Sequence, residues 1–177
     1  MRGLEFPIMK GKRMKINGLV PVITITTVRA ANGWLSCMSP DPIEYQGQRY
    51  RTCEAWFQVL RFDGFPDIQN EIRNCPSPMG AKMIARRERD LLNRAGIWDY
   101  AESDRALMEQ CLRLKLEQHP DLRQRLIETG DATIIEDCTT HDREAARIWG
   151  AVRVNGNWVG QNILGQIWME LRSELLA

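Results

Sequence analysis

Thr52-Cys53-Glu54-Ala55-Trp56-Phe57-Gln58 is the stretch on which the reading of this chain turns. Threonine is a good helix N-cap, because its side-chain oxygen accepts a hydrogen bond from an otherwise orphan N–H of the first turn. With the cap at Thr52, residues Glu54, Phe57, Gln58 and Arg61 recur at helical spacing on one face, and Trp56 and Leu60 share another. The second face is for packing. The first is largely polar, and taken alone it reads as an exposed Glu/Arg surface.

Outward from this stretch the chain is mostly helical. Pro66 to Asn74 starts with Pro-Asp and carries Ile68 and Ile72 four apart, and Ser77-Pro78 is a cap followed by an N1 proline. Beyond it Met79, Met83 and Ile84 recur on one side, with Lys82, Arg86, Arg87 and Arg89 as polar residues. Ser103 or Asp104 caps a helix to about Glu117, ended by His119-Pro120, and a shorter helix from Asp121 stops near Gly130. Ile163, Leu164, Ile167, Trp168, Leu171 and Leu175 form the apolar stripe of a last helix. Strands are few and local: Leu19 to Val28, a hairpin at Ile43 to Tyr50 around Gln46-Gly47, and a second around Asn155-Gly156, a pair suited to a type I′ turn. The expected fold is mainly α with small β hairpins, an α+β single domain over residues 18–177, after a basic segment at 1–17.

Composition narrows the chemistry. A chain of 177 residues is one domain's worth, with 24 Lys and Arg against 23 Asp and Glu, which removes the global electrostatic case for an avid, non-specific nucleic-acid binder. The first segment departs from that balance. Arg2, Lys10, Lys12, Arg13 and Lys15 face a single Glu5, the pattern of a solvated tail more often than of a binding arm. Five cysteines without a Cys-x-x-Cys pair and two histidines argue against zinc and read as reduced thiols, so neither metal nor cofactor is expected. Leu19 to Val28 is too short and too polar for a membrane span, and the expected location is the cytoplasm.

Seven segments occur in a telling order: Leu35-Ser36-Cys37, Thr52 to Gln58, Ser77-Pro78-Met79-Gly80-Ala81-Lys82, Trp98, Lys115 to Leu122, Trp149-Gly150, and Asn162 through Met169-Glu170-Leu171-Arg172. In that order they resemble the NADAR superfamily, also called YbiA-like, across roughly residues 33 to 176. Three positions depart from the family pattern: Cys37 stands where the family has Asn, Ala55 where it has His, and Arg61 where it often has Lys. The resemblance implies a YbiA-like fold and cleavage of an N-glycosidic bond, and it matches Glu54 to the glutamate implicated in that step. Two substrate classes are known in the family: ADP-ribose on the amino group of guanine in nucleic acid, and phosphorylated ribosylamino-pyrimidine intermediates of riboflavin synthesis. A non-catalytic module that binds ADP-ribose or NAD is the rival, favoured by the three departures and opposed by retention of Glu54.

Such cleavage needs a carboxylate to stabilise an oxocarbenium-like centre or to activate water, and a group to assist departure of the base. Glu54 is the candidate for the first role and Asp142 for the second, with a helix cap or surface acid as the plain alternative for Asp142. Lysine attack on the anomeric carbon is a different route; Arg61 cannot take it, because guanidinium keeps its proton, whereas Lys82 can, unless it is a phosphate contact or surface charge. Candidate substrate contacts are Ser36, Gln58, Arg61, Arg86, Trp98, Trp149, Gly150, Asn162 and Gly165. Trp98, two residues after Gly96, either stacks on a ring or packs; Trp149, before Gly150, is better placed to stack, with Asn162 and Gly165 nearby if the resemblance holds. Arg86 and Arg87 either clamp a phosphate or form a solvated face. The basic segment points to ADP-ribosylated nucleic acid as the partner rather than a mononucleotide.

Overall fold

The structure, a computed structural model, describes residues 13–14, 20–94 and 103–177. Trp98 and most of the basic segment lie outside the described residues. Eight α-helices are described: α1 Cys53–Arg61, α2 Pro66–Asn74, α3 Pro78–Arg87, α4 Arg89–Arg94, α5 Ser103–Gln118, α6 Pro120–Glu128, α7 Glu144–Trp149 and α8 Ile163–Leu176. The caps fall where side-chain chemistry puts them. Thr52 Oγ1 accepts from the Ala55 N–H at 3.2 Å to start α1, and Ser77 Oγ accepts from the Gly80 N–H at 2.9 Å to start α3.

Both expected hairpins form. β3 (Ile43–Tyr45) pairs with β4 (Gln48–Tyr50) across Gln46-Gly47, and β6 (Ala151–Val154) pairs with β7 (Asn157–Gly160) across Asn155-Gly156. Asn155 and Gly156 have φ of 49° and 79°, the positive values that a I′ turn demands. Arg13–Met14 of the basic segment forms β1, antiparallel to β7, so part of that segment joins a sheet.

One pairing exceeds the local expectation. β2 (Val22–Ile25) lies parallel to β5 (Thr133–Glu136), with Val22 opposite Thr133 and Ile25 opposite Glu136. β5 is only four residues long and follows the Gly130 turn, so no periodicity announced it. The pair has a structural job: α8 packs on β5, and β5 delivers residue 136 to the site described below.

The main core gathers Trp56, Phe62, Leu112, Leu126, Ile134 and Trp168, all buried. Trp168 is anchored, since its indole Nε1–H donates to Leu35 O at 2.8 Å and so ties α8 to the 33–39 turn. Lys115 on α5 fastens the same turn from below. Its buried ammonium donates to Trp34 O at 2.5 Å and Ser39 Oγ at 2.6 Å and pairs with Asp41 at 2.8 Å. A buried charge survives only with such full satisfaction, so Lys115 serves here to hold the loop that carries Ser36 and Cys37. Among the described residues no helix is long and apolar enough to cross a membrane.

Candidate functional site

Glu54 is the focus. It sits in the first turn of α1, where the helix dipole favours a carboxylate, and its side chain is only 3% exposed. Cys37 reaches it twice: Cys37 O accepts the Glu54 N–H at 2.8 Å, and the Cys37 thiol donates to Glu54 Oε2 at 3.1 Å. Burial, followed by the Glu54 charge, pushes the Cys37 thiol well above its ordinary value, so it remains a protonated donor. Gln58 Nε2, one turn along α1, donates to Glu54 Oε1 at 3.0 Å. From α3, Lys82 Nζ comes to 3.8 Å of the same oxygen while its side chain stays 52% exposed. Lys82 therefore runs from solvent to the carboxylate and marks the mouth of the site.

Arg61 backs this cluster rather than entering it. Its Nη1 donates to Gln58 Oε1 at 3.1 Å and its Nε pairs with Asp104 of α5 at 3.1 Å, which fixes the amide that in turn fixes Glu54. Thus the expected polar face of α1 exists, but it is buried instead of solvated: Glu54, Gln58 and Arg61 all count among the buried residues.

The second acid of the site is one the sequence did not single out. Glu136, at the end of β5, has its Oε2 buried without a hydrogen-bond partner. Burial, together with the charges of Glu54 and Asp137 and against that of Lys82, pushes its carboxyl up to about 8. The signal was faint: one acid closing the apolar run Ile134-Ile135.

Asp142 lies elsewhere. It is exposed and held in a two-pronged ion pair with Arg147, both contacts at 2.6 Å, and the hydrogen bond from Arg147 lowers its carboxyl below the ordinary range. The structure does not bring it to Glu54; it is the surface acid of the plain alternative.

Asn162, Gly165 and Gly150 form the frame of the site. Asn162 is fully buried in a left-handed conformation at φ 55°, and its amide is spent on β5, Oδ1 accepting from the Glu136 N–H at 2.9 Å and Nδ2 donating to Ile134 O at 2.8 Å. A Cβ on Gly165 would stand 2.1 Å from Ile134 O, so glycine lets α8 lie against β5. A Cβ on Gly150 would stand 2.3 Å from Glu136 O and 2.9 Å from Glu136 Cγ. These three set Glu136 and seat α8 on β5.

Trp149 closes the short helix α7 and is half-buried, its ring edge-on to Phe57 at 5.7 Å and 81°. Phe57 belongs to the same face of α1 as Glu54, so the indole borders the site. Ser36 Oγ accepts from the Met38 N–H at 3.2 Å and helps shape the Cys37 loop. Arg86 is exposed one turn beyond Lys82 on α3, whereas Arg87 pairs with Glu71 and Glu88. Among the described residues no group of three or more His, Cys, Asp or Glu is arranged to hold a metal ion.

The site is thus a buried glutamate flanked by a lysine, with a tryptophan at the rim, and similar proteins bear the name N-glycosidase. The N-glycosidase YbiA of Escherichia coli is 34% identical over 134 residues, covering 76% of either chain. An N-glycosidase of Nostoc punctiforme is 29% identical over 145 residues, covering 81% of this chain and 85% of that one. The NMR structure of Escherichia coli YbiA superposes with a TM-score of 0.68 at 28% identity, covering 88% of this chain and 85% of that one. The NADAR domain model matches residues 26–176, and on that match and these likenesses the chain belongs to the NADAR domain family.

Proposed function

We propose that the protein is an N-glycoside hydrolase acting on a ribose that carries phosphate, with ADP-ribose linked to guanine as the leading substrate class. The observation that carries this reading is the gathering of Cys37, Gln58 and Lys82 onto the buried carboxylate of Glu54. A carboxylate held by directed donors is preorganised for the charge that grows on the anomeric carbon as the C–N bond breaks. Lys82, with its stem in solvent and its ammonium at the carboxylate, is placed either to contact phosphate or, once deprotonated, to attack that carbon itself. Arg86 on the same helix extends positive charge outward for a diphosphate.

The departures at Cys37 and Arg61 do not dismantle the site: the thiol still donates to Glu54, and Arg61 still braces Gln58. That supports an enzyme over a silent binding module. All five cysteines are free, which fits the reducing cytoplasm as the place of action. The riboflavin-type ribosylamino-pyrimidine phosphate is the alternative substrate, since it offers the same ribose phosphate and the same bond.

Incubation with an ADP-ribosylated guanine oligonucleotide, with the ribosylamino-pyrimidine phosphate, and with free ADP-ribose and NAD, followed by mass spectrometry and calorimetry, tests the reading. Release of ADP-ribose, with guanine restored in the oligonucleotide, is the expected result. Binding of ADP-ribose with no cleavage of either N-glycoside would establish the binding module instead. Borohydride added during turnover separates the two routes: a reduced sugar adduct on Lys82 means amine attack, and an active enzyme without adduct means attack by water.

A further inference from the structure

Resting on that glycosidase reading, we propose that Glu136 is the general acid of the cleavage, giving its carboxyl proton to the departing nitrogen while Glu54 serves the anomeric carbon. Bases leave a sugar poorly as anions, so proton delivery to the nitrogen is the second half of the chemistry. Asp142 cannot supply it, being exposed and locked as a carboxylate by Arg147.

Three observations converge on Glu136. Its Oε2 is buried and makes no hydrogen bond among the described residues, an open valence that native interiors rarely leave without a purpose. Its backbone is clamped on two sides: Asn162 Oδ1 accepts from its N–H, and the missing side chain of Gly150 lets the end of α7 press against its carbonyl and Cγ. The charges that act on it come from α1, α3 and its own segment: Glu54 on α1 and Asp137 beside it oppose ionisation, Lys82 on α3 favours it, and Cys37 and Cys138 are buried thiols that stay neutral. Burial outweighs the lysine, so the carboxyl holds its proton at neutral pH and can part with it when a more basic nitrogen arrives.

The step balances. The C–N bond breaks with its electron pair going to nitrogen, the Glu136 proton joins that nitrogen, water adds to the anomeric carbon, and the water's proton passes to Glu54. Glu136 ends as carboxylate and Glu54 as acid, and exchange with solvent along Lys82 restores both. If Lys82 attacks instead of water, the demand for an acid at the leaving nitrogen is unchanged.

Two measurements test this on the full chain. In wild-type protein with 13C-labelled glutamate carboxyls, one resonance titrates near 8, is missing from Glu136→Gln, and moves down in Glu54→Gln, where the repelling charge is gone. Glutamates that all titrate in the ordinary range overturn the proposal without any variant having to fold. In single-turnover cleavage of the ADP-ribosylated oligonucleotide or the ribosylamino-pyrimidine phosphate, Glu136→Gln slows the chemical step about 100-fold at little change in KM and removes the fall in rate above neutral pH. A variant within about 3-fold of wild type overturns the acid role and leaves the glycosidase intact. Wild-type protein that cleaves neither substrate refutes the glycosidase and the acid role with it, whatever the titration shows.

Discussion

Replacing Glu136 by glutamine makes a quantitative demand on stability. The folded protein holds the Glu136 proton up to about 8, whereas an unfolded chain releases it near the ordinary glutamate value of roughly 4.3. Between those values the folded state binds more protons than the unfolded one, so stability is fully present below the lower value and is lost as pH rises through the upper. By linkage a shift of that size is worth about 5 kcal/mol. Glutamine has the shape of the protonated acid and nothing to titrate. Urea unfolding of both proteins across about pH 4 to 9 should therefore give nearly equal stabilities at the acid end. At the alkaline end Glu136→Gln should be the more stable by about 4–5 kcal/mol, with equal m-values. Parallel pH profiles would refute the assignment of a buried, protonated Glu136. A variant less stable at every pH would do so as well.

Other substitutions separate frame from ligand contact. Trp149→Ala should weaken binding of ADP-ribose or the oligonucleotide by about 1–3 kcal/mol in calorimetry if the indole stacks on a base, and unchanged affinity with a lowered Tm would make it only the packing partner of Phe57. Gly165→Ala should cost about 3 kcal/mol in urea unfolding, because the new methyl meets Ile134 O at 2.1 Å; a neutral change would mean that α8 shifts freely on β5. Deleting residues 1–12, which spares β1, removes Arg2, Lys10 and Lys12. It should flatten the salt dependence of oligonucleotide binding by about one unit for each phosphate that these side chains neutralise, with no effect on a mononucleotide. Equal weakening on both would show that the segment supports the fold.

Much of the helical frame was legible from local chemistry. Thr52 and Ser77 start α1 and α3 as capping oxygens, and Asn155-Gly156 forms its turn because both residues accept positive φ. Glu54, Gln58 and Lys82 were also singled out, and they converge. What escaped was set by distance along the chain. β2 and β5 pair across more than half of it, and a four-residue strand carries no period of its own, so Glu136 had no context to mark it as more than a strand-end acid. Arg61 looked like a surface charge because Asp104, which neutralises it, arrives from a different helix. Asn162 and Gly165 were read as candidate ligand contacts; the part they also play in seating α8 on β5 depends on a backbone approach that only tertiary structure defines.

The most direct test of the central claim is single-turnover cleavage of the ADP-ribosylated guanine oligonucleotide and of the ribosylamino-pyrimidine phosphate by wild-type protein and Glu54→Gln, followed by mass spectrometry, with calorimetric affinity measured alongside. Glutamine keeps the size and one acceptor oxygen, enough for the Gln58 amide, but gives up the second acceptor that faces the Cys37 thiol and the charge needed at the anomeric carbon. The account predicts that wild type cleaves the N-glycosidic bond of at least one of the two and that Glu54→Gln binds that substrate with little change while its cleavage falls by at least about 1,000-fold. Cleavage by Glu54→Gln within a few-fold of wild type would contradict it.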